Sequence, residues 1–319
     1  MQQERQSNTL FAEIVGQLSA INFLQAALDK QRIAPAYLFA GPEGVGRKLT
    51  TLRFLEGLIN EGSPNKAIRR QLETRNHPDL LWVEPTYIHQ GNLITKSVAI
   101  NENLHRRSLP QIRLEQIKEI KRFLSKKPIK ANVSMIVIED IETMNESASN
   151  ALLKTIEEPQ IGIFILISRR PEVTLKTILS RCQKINFNRL NIEEVQKVFN
   201  ANDESIKIDI TTISQNKELL SLANGSPGEM IKHMDNWQNI PNEFWPRLKV
   251  ITNQKPIDAL ALAKDIVEKL DTEQQIWLIS WIQQHFWIKE NNFQVIKKLE
   301  KLRIQIQSFV NARLAWEIT

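Results

Sequence analysis

Three observations predict an α/β fold for the front of this chain and an all-helical fold for its end. The runs Met135–Ile138 and Ile161–Ile167 are too short for globular helices and rich in β-branched residues, so they read as buried strands. Between them Ala148, Ala151, Leu152, Thr155 and Ile156 follow the spacing of one buried helix face, and strand, helix, strand in about 35 residues is the length of a parallel βαβ crossover. All ten glycines fall at or before Gly228, whereas six of the seven tryptophans lie from Trp237 onward, the composition of a helical bundle.

With 319 residues the chain is long enough for two or three domains. A net charge of +6 and a pI near 9.3 fit work close to nucleic acid without establishing it. The single cysteine excludes an intramolecular disulfide and any cysteine-based zinc site, and it agrees with a reducing cytoplasm. No apolar run approaches the length that spans a bilayer, and the first residues hold no apolar signal core, so a cytoplasmic location is expected.

Taken in order, a first helix over Ser19–Lys30 places Ile21, Leu24, Ala27 and Leu28 on one face. The strand Tyr37–Ala40 runs directly into Gly41-Pro42-Glu43-Gly44-Val45-Gly46-Arg47-Lys48, and a helix with Leu49, Leu52, Leu55 and Ile59 follows. Residues 60–110 give less: a helix entering a loop, a strand Leu80–Val83, and a polar excursion Thr86–Leu109 holding His89 and His105, neither with metal-ligand company. A helix Leu109–Ser125 turns Ile112, Ile117, Ile120 and Phe123 inward, while Lys118, Lys121, Arg122, Lys126, Lys127 and Lys130 form a basic face open to solvent or to DNA. Short helical patterns at Ile192–Phe199 and Lys217–Ala223 suggest a small module before the bundle.

Strand, glycine-rich turn and helix is the setting of a phosphate-binding loop, in which the glycines let the backbone wrap a phosphate and the amides at the helix start supply a positive field. Gly41 and Gly46 satisfy its glycine spacing, with Gly44 between them. The phosphate lysine is replaced by Arg47, and the hydroxyl that would hold Mg²⁺ by Lys48, which cannot ligate a metal. Thr50 lies roughly 200° further round the helix. The residues therefore leave two readings: a nucleotide-shaped pocket without its hydrolytic part, or a glycine turn with no ligand.

Glu139 and Asp140 end one strand, where a pair of acids is placed to hold a metal or orient a water. Ser168 tips the next strand. Glu157 and Glu158 close a helix at the end where the macrodipole disfavours anions, with Lys154 as one available surface partner. Arg181 stands at a strand entrance beside Cys182, either solvated or presented to a phosphate outside its own fold.

Together GPEGVG after a strand, the acids Glu139-Asp140, NALLKTIEEP at Asn150–Pro159, TILSRCQ at Thr177–Gln183 and NARLAWE at Asn311–Glu317 resemble the bacterial AAA+ clamp-loader subunits of DNA polymerase III. The resemblance is strongest over residues 8–190. It implies an AAA+ P-loop domain, a parallel sheet with helices on both faces, over 1–190, a small helical lid over 191–235 and a C-terminal helical collar over 236–319. It also implies a ring of five with gamma/tau ATPase subunits and a delta subunit, which opens the sliding clamp and places it on primed DNA. Arg181 would be an arginine finger offered to a neighbour's ATP, and Ser168 a sensor of phosphate state. Gly41, Gly44, Gly46, Arg47, Lys48, Glu139, Asp140 and Ser168 would line the chain's own nucleotide site. Arg47, Lys48, the acids in the order Glu139-Asp140, and Gly228 where motor subunits carry a lid arginine all depart from the active pattern. The family's four-cysteine zinc module is missing from the sequence. The expectation is a stationary subunit with no ATPase of its own or a very weak one, holding ATP or ADP without hydrolysis if it holds any cofactor, and no zinc. The competing expectation is an active motor of the gamma/tau or branch-migration helicase type.

Overall fold

The computed structural model describes residues 10–89, 91–95, 98–99, 110–158, 162–174, 176–201, 217–249, 255–290, 293–308 and 311–318. It divides into two compact units, Met1–Glu194 and Val195–Thr319. The first begins with α1 (Leu18–Asp29), β1 (Ala36–Ala40), α2 (Arg47–Ile59), α3 (Lys66–Glu73) and β2 (Leu80–Val83). It continues through β3 (Thr86–His89), β4 (Asn92–Thr95), α4 (Leu114–Leu124), β5 (Ser134–Ile138), α5 (Glu146–Glu157), β6 (Gly162–Ser168), the four-residue α6 (Lys176–Leu179) and β7 (Gln183–Asn186).

Five of these strands form one parallel sheet in the order β2-β5-β6-β1-β7. Every residue of β1 and β5 is buried, as near-continuous apolar strands covered on both faces must be. Ile117 and Ile120 of α4 and Ala148 and Leu152 of α5 pack with Leu38, Ile136, Ile138 and Leu166 of the sheet in one core. Each leucine or isoleucine side chain so taken from water contributes roughly 1.5–3 kcal/mol. Pairing of Ala40 with both Ser168 and Asn186, and of Ile138 with Leu166, brings the carboxyl ends of β1, β5, β6 and β7 to one edge.

Part of the segment read as a polar excursion is a β-hairpin instead: Thr86 to His89 pair antiparallel with Thr95 to Asn92, and Gly91 turns between them at φ 83°. The helix expected from Leu109 starts at Leu114. Leu109 itself lies outside the described residues, as do His105 and Pro159.

Asp79, just before β2, is 3% exposed and fixes the approach to β5. Its carboxylate accepts the backbone N–H groups of Ile129, Lys130 and Ala131 at 2.6, 2.7 and 2.7 Å, and its carbonyl accepts from Met135 N at 2.8 Å. Burial works to raise its pKa, but the three amides and His77 outweigh that and hold it below the ordinary aspartate value. Burial likewise pushes His77 below its ordinary value, and its Nδ1 accepts from Asp79 N at 3.2 Å. In both cases the unfolded chain binds more protons than the folded one as pH falls, so acidification costs stability. The loss begins below about pH 6.5 through His77 and continues below about pH 4 through Asp79. Asp79→Asn is expected to remove the second stage and to lower stability at pH 7 by about 1–3 kcal/mol, read from urea unfolding across that range. An identical pH profile in the variant would refute this assignment.

The second unit holds most of α7 (Ile192–Ala201), then α8 (Lys217–Ala223), α9 (Pro227–Asn239), α10 (Phe244–Lys249), α11 (Pro256–Lys269), α12 (Thr272–Glu290), α13 (Phe293–Gln307) and α14 (Ala312–Ile318). Phe199, Leu219 and Met230 share one core with Trp277, Trp281, Leu302 and Trp316. Trp237 stacks on Trp245 with ring centroids 3.6 Å apart. Gly225 at φ 75° turns the chain into Ser226, whose Oγ caps α9 by accepting from Glu229 N, with Pro227 at the first helical position. No helix of the described residues is long and apolar enough to cross a membrane.

Candidate functional site

The glycine loop lies on the edge where the strand ends converge. Gly41 leaves β1 at φ 155° and donates its N–H to Ser168 O at 3.1 Å; a Cβ there would stand 2.3 Å from Phe187 O, so no other residue fits between the two strands. Gly44 turns at φ 73°, and Gly46 enters α2 at φ 101° with open space where a Cβ would be. Thr50 donates to Gly46 O at 2.9 Å, closing the first turn of the helix.

Arg47 is 6% exposed, and its Nη1 is buried with no hydrogen-bond partner among the described residues. Burial pushes this guanidinium below the ordinary arginine value against the pull of Asp140, Glu142 and Glu43. Lys48 reaches across the edge into an ion pair with Glu139. That acid also accepts Trp82 Nε1 at 2.6 Å and lies 3.4 Å from Arg75 Nη2, so three donors share one buried carboxylate.

Asp140 sits in the left-handed region at φ 46°, tolerable for an aspartate, and opens a short 3₁₀ turn, Ile141–Thr143. Its pKa is raised by burial, with Glu142, Glu43 and Glu139 adding to the effect and Arg169 opposing it. Ser168 is fully buried and donates to Glu142 Oε2 at 2.8 Å. Arg169, directly after it, joins Glu43 of the loop at 2.9 Å, Asp140 at 3.3 Å and Glu142 at 3.6 Å. Burial draws the Arg169 pKa down, but these three carboxylates outweigh it and hold it above the ordinary value.

The edge thus brings together Gly41, Gly44, Gly46, Arg47, Lys48, Glu139, Asp140 and Ser168, and adds Glu43, Glu142 and Arg169, which the sequence reading did not single out. An arginine directly after the strand tip was the only local signal for them.

The amides of the loop and the unpartnered Arg47 Nη1 fit the oxygens of a phosphate. A magnesium ion is not fitted: an ammonium stands where its hydroxyl ligand belongs, and Glu139 is committed to Lys48, Trp82 and Arg75.

Arg181 is elsewhere. It precedes Gln183, which pairs with Tyr37 at the start of β1, whereas the loop follows Ala40, which pairs with Asn186. Because β1 and β7 are parallel, the arginine and the loop lie at opposite ends of the sheet, separated by at least ~10 Å along the strands. Its side chain is 40% exposed, with Nη1 donating to Thr177 O at 2.8 Å and Nη2 2.5 Å from Glu157 Oε1. The two acids ending α5 therefore have partners outside their own helix, since Glu158 pairs with Lys121 of α4 at 2.9 Å. Of the basic face, Lys118, Arg122, Lys126, Lys127 and Lys130 are exposed. Burial pushes the neighbouring Cys182 thiol up to about 12, so it offers no thiolate near neutral pH.

Residues 16–191 match the family described as DNA polymerase III, delta subunit, and residues 193–319 match the one described as cyanobacterial DNA polymerase III delta prime, C-terminal domain. A DNA polymerase III subunit delta' of Bacillus subtilis is 28% identical over 55% of this chain and 49% of its own length. The subunit tau of the same organism is 26% identical over 58% of this chain and 30% of its own. The chain thus spans about half, or less, of these curated relatives. A solved gamma subunit-related protein of Thermotoga maritima superposes with a TM-score of 0.50 at 17% identity, covering 93% of this chain and 95% of that one. The likeness is one of fold: a parallel five-stranded sheet with helices, followed by an all-helical region.

Proposed function

This chain belongs to the DNA polymerase III delta-subunit family, and on that premise we propose that it is the delta-prime subunit of a bacterial clamp loader, a stationary partner of the ATPase subunits. It joins gamma/tau and delta subunits in a five-membered cytoplasmic complex, and meets the sliding clamp and primed DNA through that complex. Arg181 is its contribution to chemistry, a guanidinium offered to the triphosphate bound by a neighbour.

The observation that carries this reading is the Lys48–Glu139 ion pair. An ATPase needs Mg²⁺ bridging the phosphates, held by a loop hydroxyl and a strand-end carboxylate. Here the first is a cation and the second is neutralised by it, so ATP or ADP bound at this loop is not cleaved. The position of Arg181 agrees, for an arginine at the far end of the sheet from its own loop can serve only a phosphate outside its own unit.

The test is ATP hydrolysis by the purified chain and by the mixture with gamma/tau and delta subunits. The chain alone is expected to turn over far below about 1 s⁻¹, the low end of ordinary enzymes, and to enter a complex whose hydrolysis is stimulated by primed DNA. Brisk turnover by the isolated chain, or failure to join the complex, would overturn the proposal.

A further inference from the structure

We infer that Glu157 is the positioning residue for Arg181, holding the guanidinium in the orientation that it presents to a neighbour's triphosphate; the inference rests on the role proposed for Arg181. Glu157 is the last residue of α5, where the partial negative charge of the helix end disfavours a carboxylate. An acid kept there calls for a compensating partner, and that partner is Arg181 Nη2 at 2.5 Å. The second guanidinium nitrogen is tied to a carbonyl of the preceding four-residue helix, Thr177 O at 2.8 Å, with Ser180 Oγ at 3.4 Å.

A planar guanidinium carries five N–H donors in a fixed fork. Two contacts from different elements, one at each terminal nitrogen, fix both the position and the plane of that fork, and the rest of its donors are left for an external anion. The side chain stays 40% exposed, so it is held without being buried. A free arginine would lose much of its rotamer freedom on docking to a phosphate; one already held in place has lost most of it beforehand. Exposed ion pairs contribute little to stability, so orientation is the larger consequence of this contact.

Glu158 provides an internal control, being the adjacent acid with a different partner, Lys121. The experiment compares DNA-stimulated ATP hydrolysis by the reconstituted gamma/tau, delta and delta-prime complex carrying wild type, Arg181→Ala, Glu157→Gln or Glu158→Gln. Arg181→Ala defines the share of the rate that depends on the arginine. Glu157→Gln, an isostere without the charge, is expected to lower that share about tenfold in kcat while KM for ATP, complex assembly and thermal unfolding stay unchanged, and Glu158→Gln is expected to match wild type. A wild-type or faster rate for Glu157→Gln beside a defective Arg181→Ala would overturn the inference alone. Equal losses in the two glutamine variants would also overturn it, since both would then act through the helix end. No effect of Arg181→Ala would overturn the role of the arginine itself.

Discussion

Arg181→Ala in the reconstituted clamp loader is expected to leave assembly intact and to slow hydrolysis at the interface that it serves by about 10³-fold. An arginine supplied in trans acts on charge that spreads over the transferred phosphoryl group only in the transition state, so its loss appears in kcat rather than in nucleotide affinity. Assembly should not change, because the side chain is partly exposed and its polar contacts with Thr177, Ser180 and Glu157, among the described residues, all lie within its own unit. Arg181→Lys should restore little, since a single ammonium cannot keep the contact with Glu157 and still present a fork to a phosphate. Single-turnover hydrolysis with primed DNA reads the effect, and unchanged rates in both variants would refute it.

Glu56→Ala is expected to lower the stability of the first unit by about 3–5 kcal/mol. Glu56 is fully buried on α2, the helix that begins at the glycine loop. Its carboxylate accepts Asn65 N at 2.6 Å and Arg69 Nε at 2.9 Å, and lies 3.8 Å from Arg53 Nη1. Arg53, itself 3% exposed, is also bound by Glu13 at 2.7 Å and Glu73 at 2.9 Å. Truncating Glu56 takes the acceptor from Arg69 Nε and from the Asn65 amide at the start of α3, and the neighbouring carboxylate from the buried Arg53 Nη1, whereas removing a whole ion pair would cost far less. Urea unfolding should show a lower midpoint with an unchanged slope, and Glu56→Gln, which keeps an acceptor, should lose roughly half as much. A midpoint shift worth less than about 1 kcal/mol in Glu56→Ala would contradict this account.

Much of the fold could be read from residue order because burial in a parallel sheet imposes long apolar runs. Leu80–Val83 and Lys217–Ala223 are found at the limits expected, and β1, β5 and β6 within a residue or so. The hairpin Thr86–Thr95 escaped because its apolar residues do not mark a buried face: Ile88 and Leu93, opposite each other across the strands, are 56% and 40% exposed. The edge residues Gly41, Arg47, Lys48, Glu139, Asp140 and Ser168 were legible from motif spacing, since each closes a strand or opens a helix. Lys154 was the nearest candidate partner for the acids that end α5, yet the structure joins Glu157 to Arg181 and Glu158 to Lys121.

By itself, then, the sequence determined which residues are available: a loop without the hydroxyl that holds magnesium, a reversed pair of acids, an arginine at a strand entrance and a glycine-free helical tail. Only the tertiary structure decided what they do to one another. Lys48 neutralises Glu139, Arg169 reaches back 126 positions to Glu43 and ties it to Asp140 and Glu142, and Arg181 is set at the opposite end of the sheet from the loop. The physical reason is that periodicity and spacing fix local conformation, whereas electrostatic partnership depends on which strand ends the parallel register brings together, and distance along the chain does not encode that.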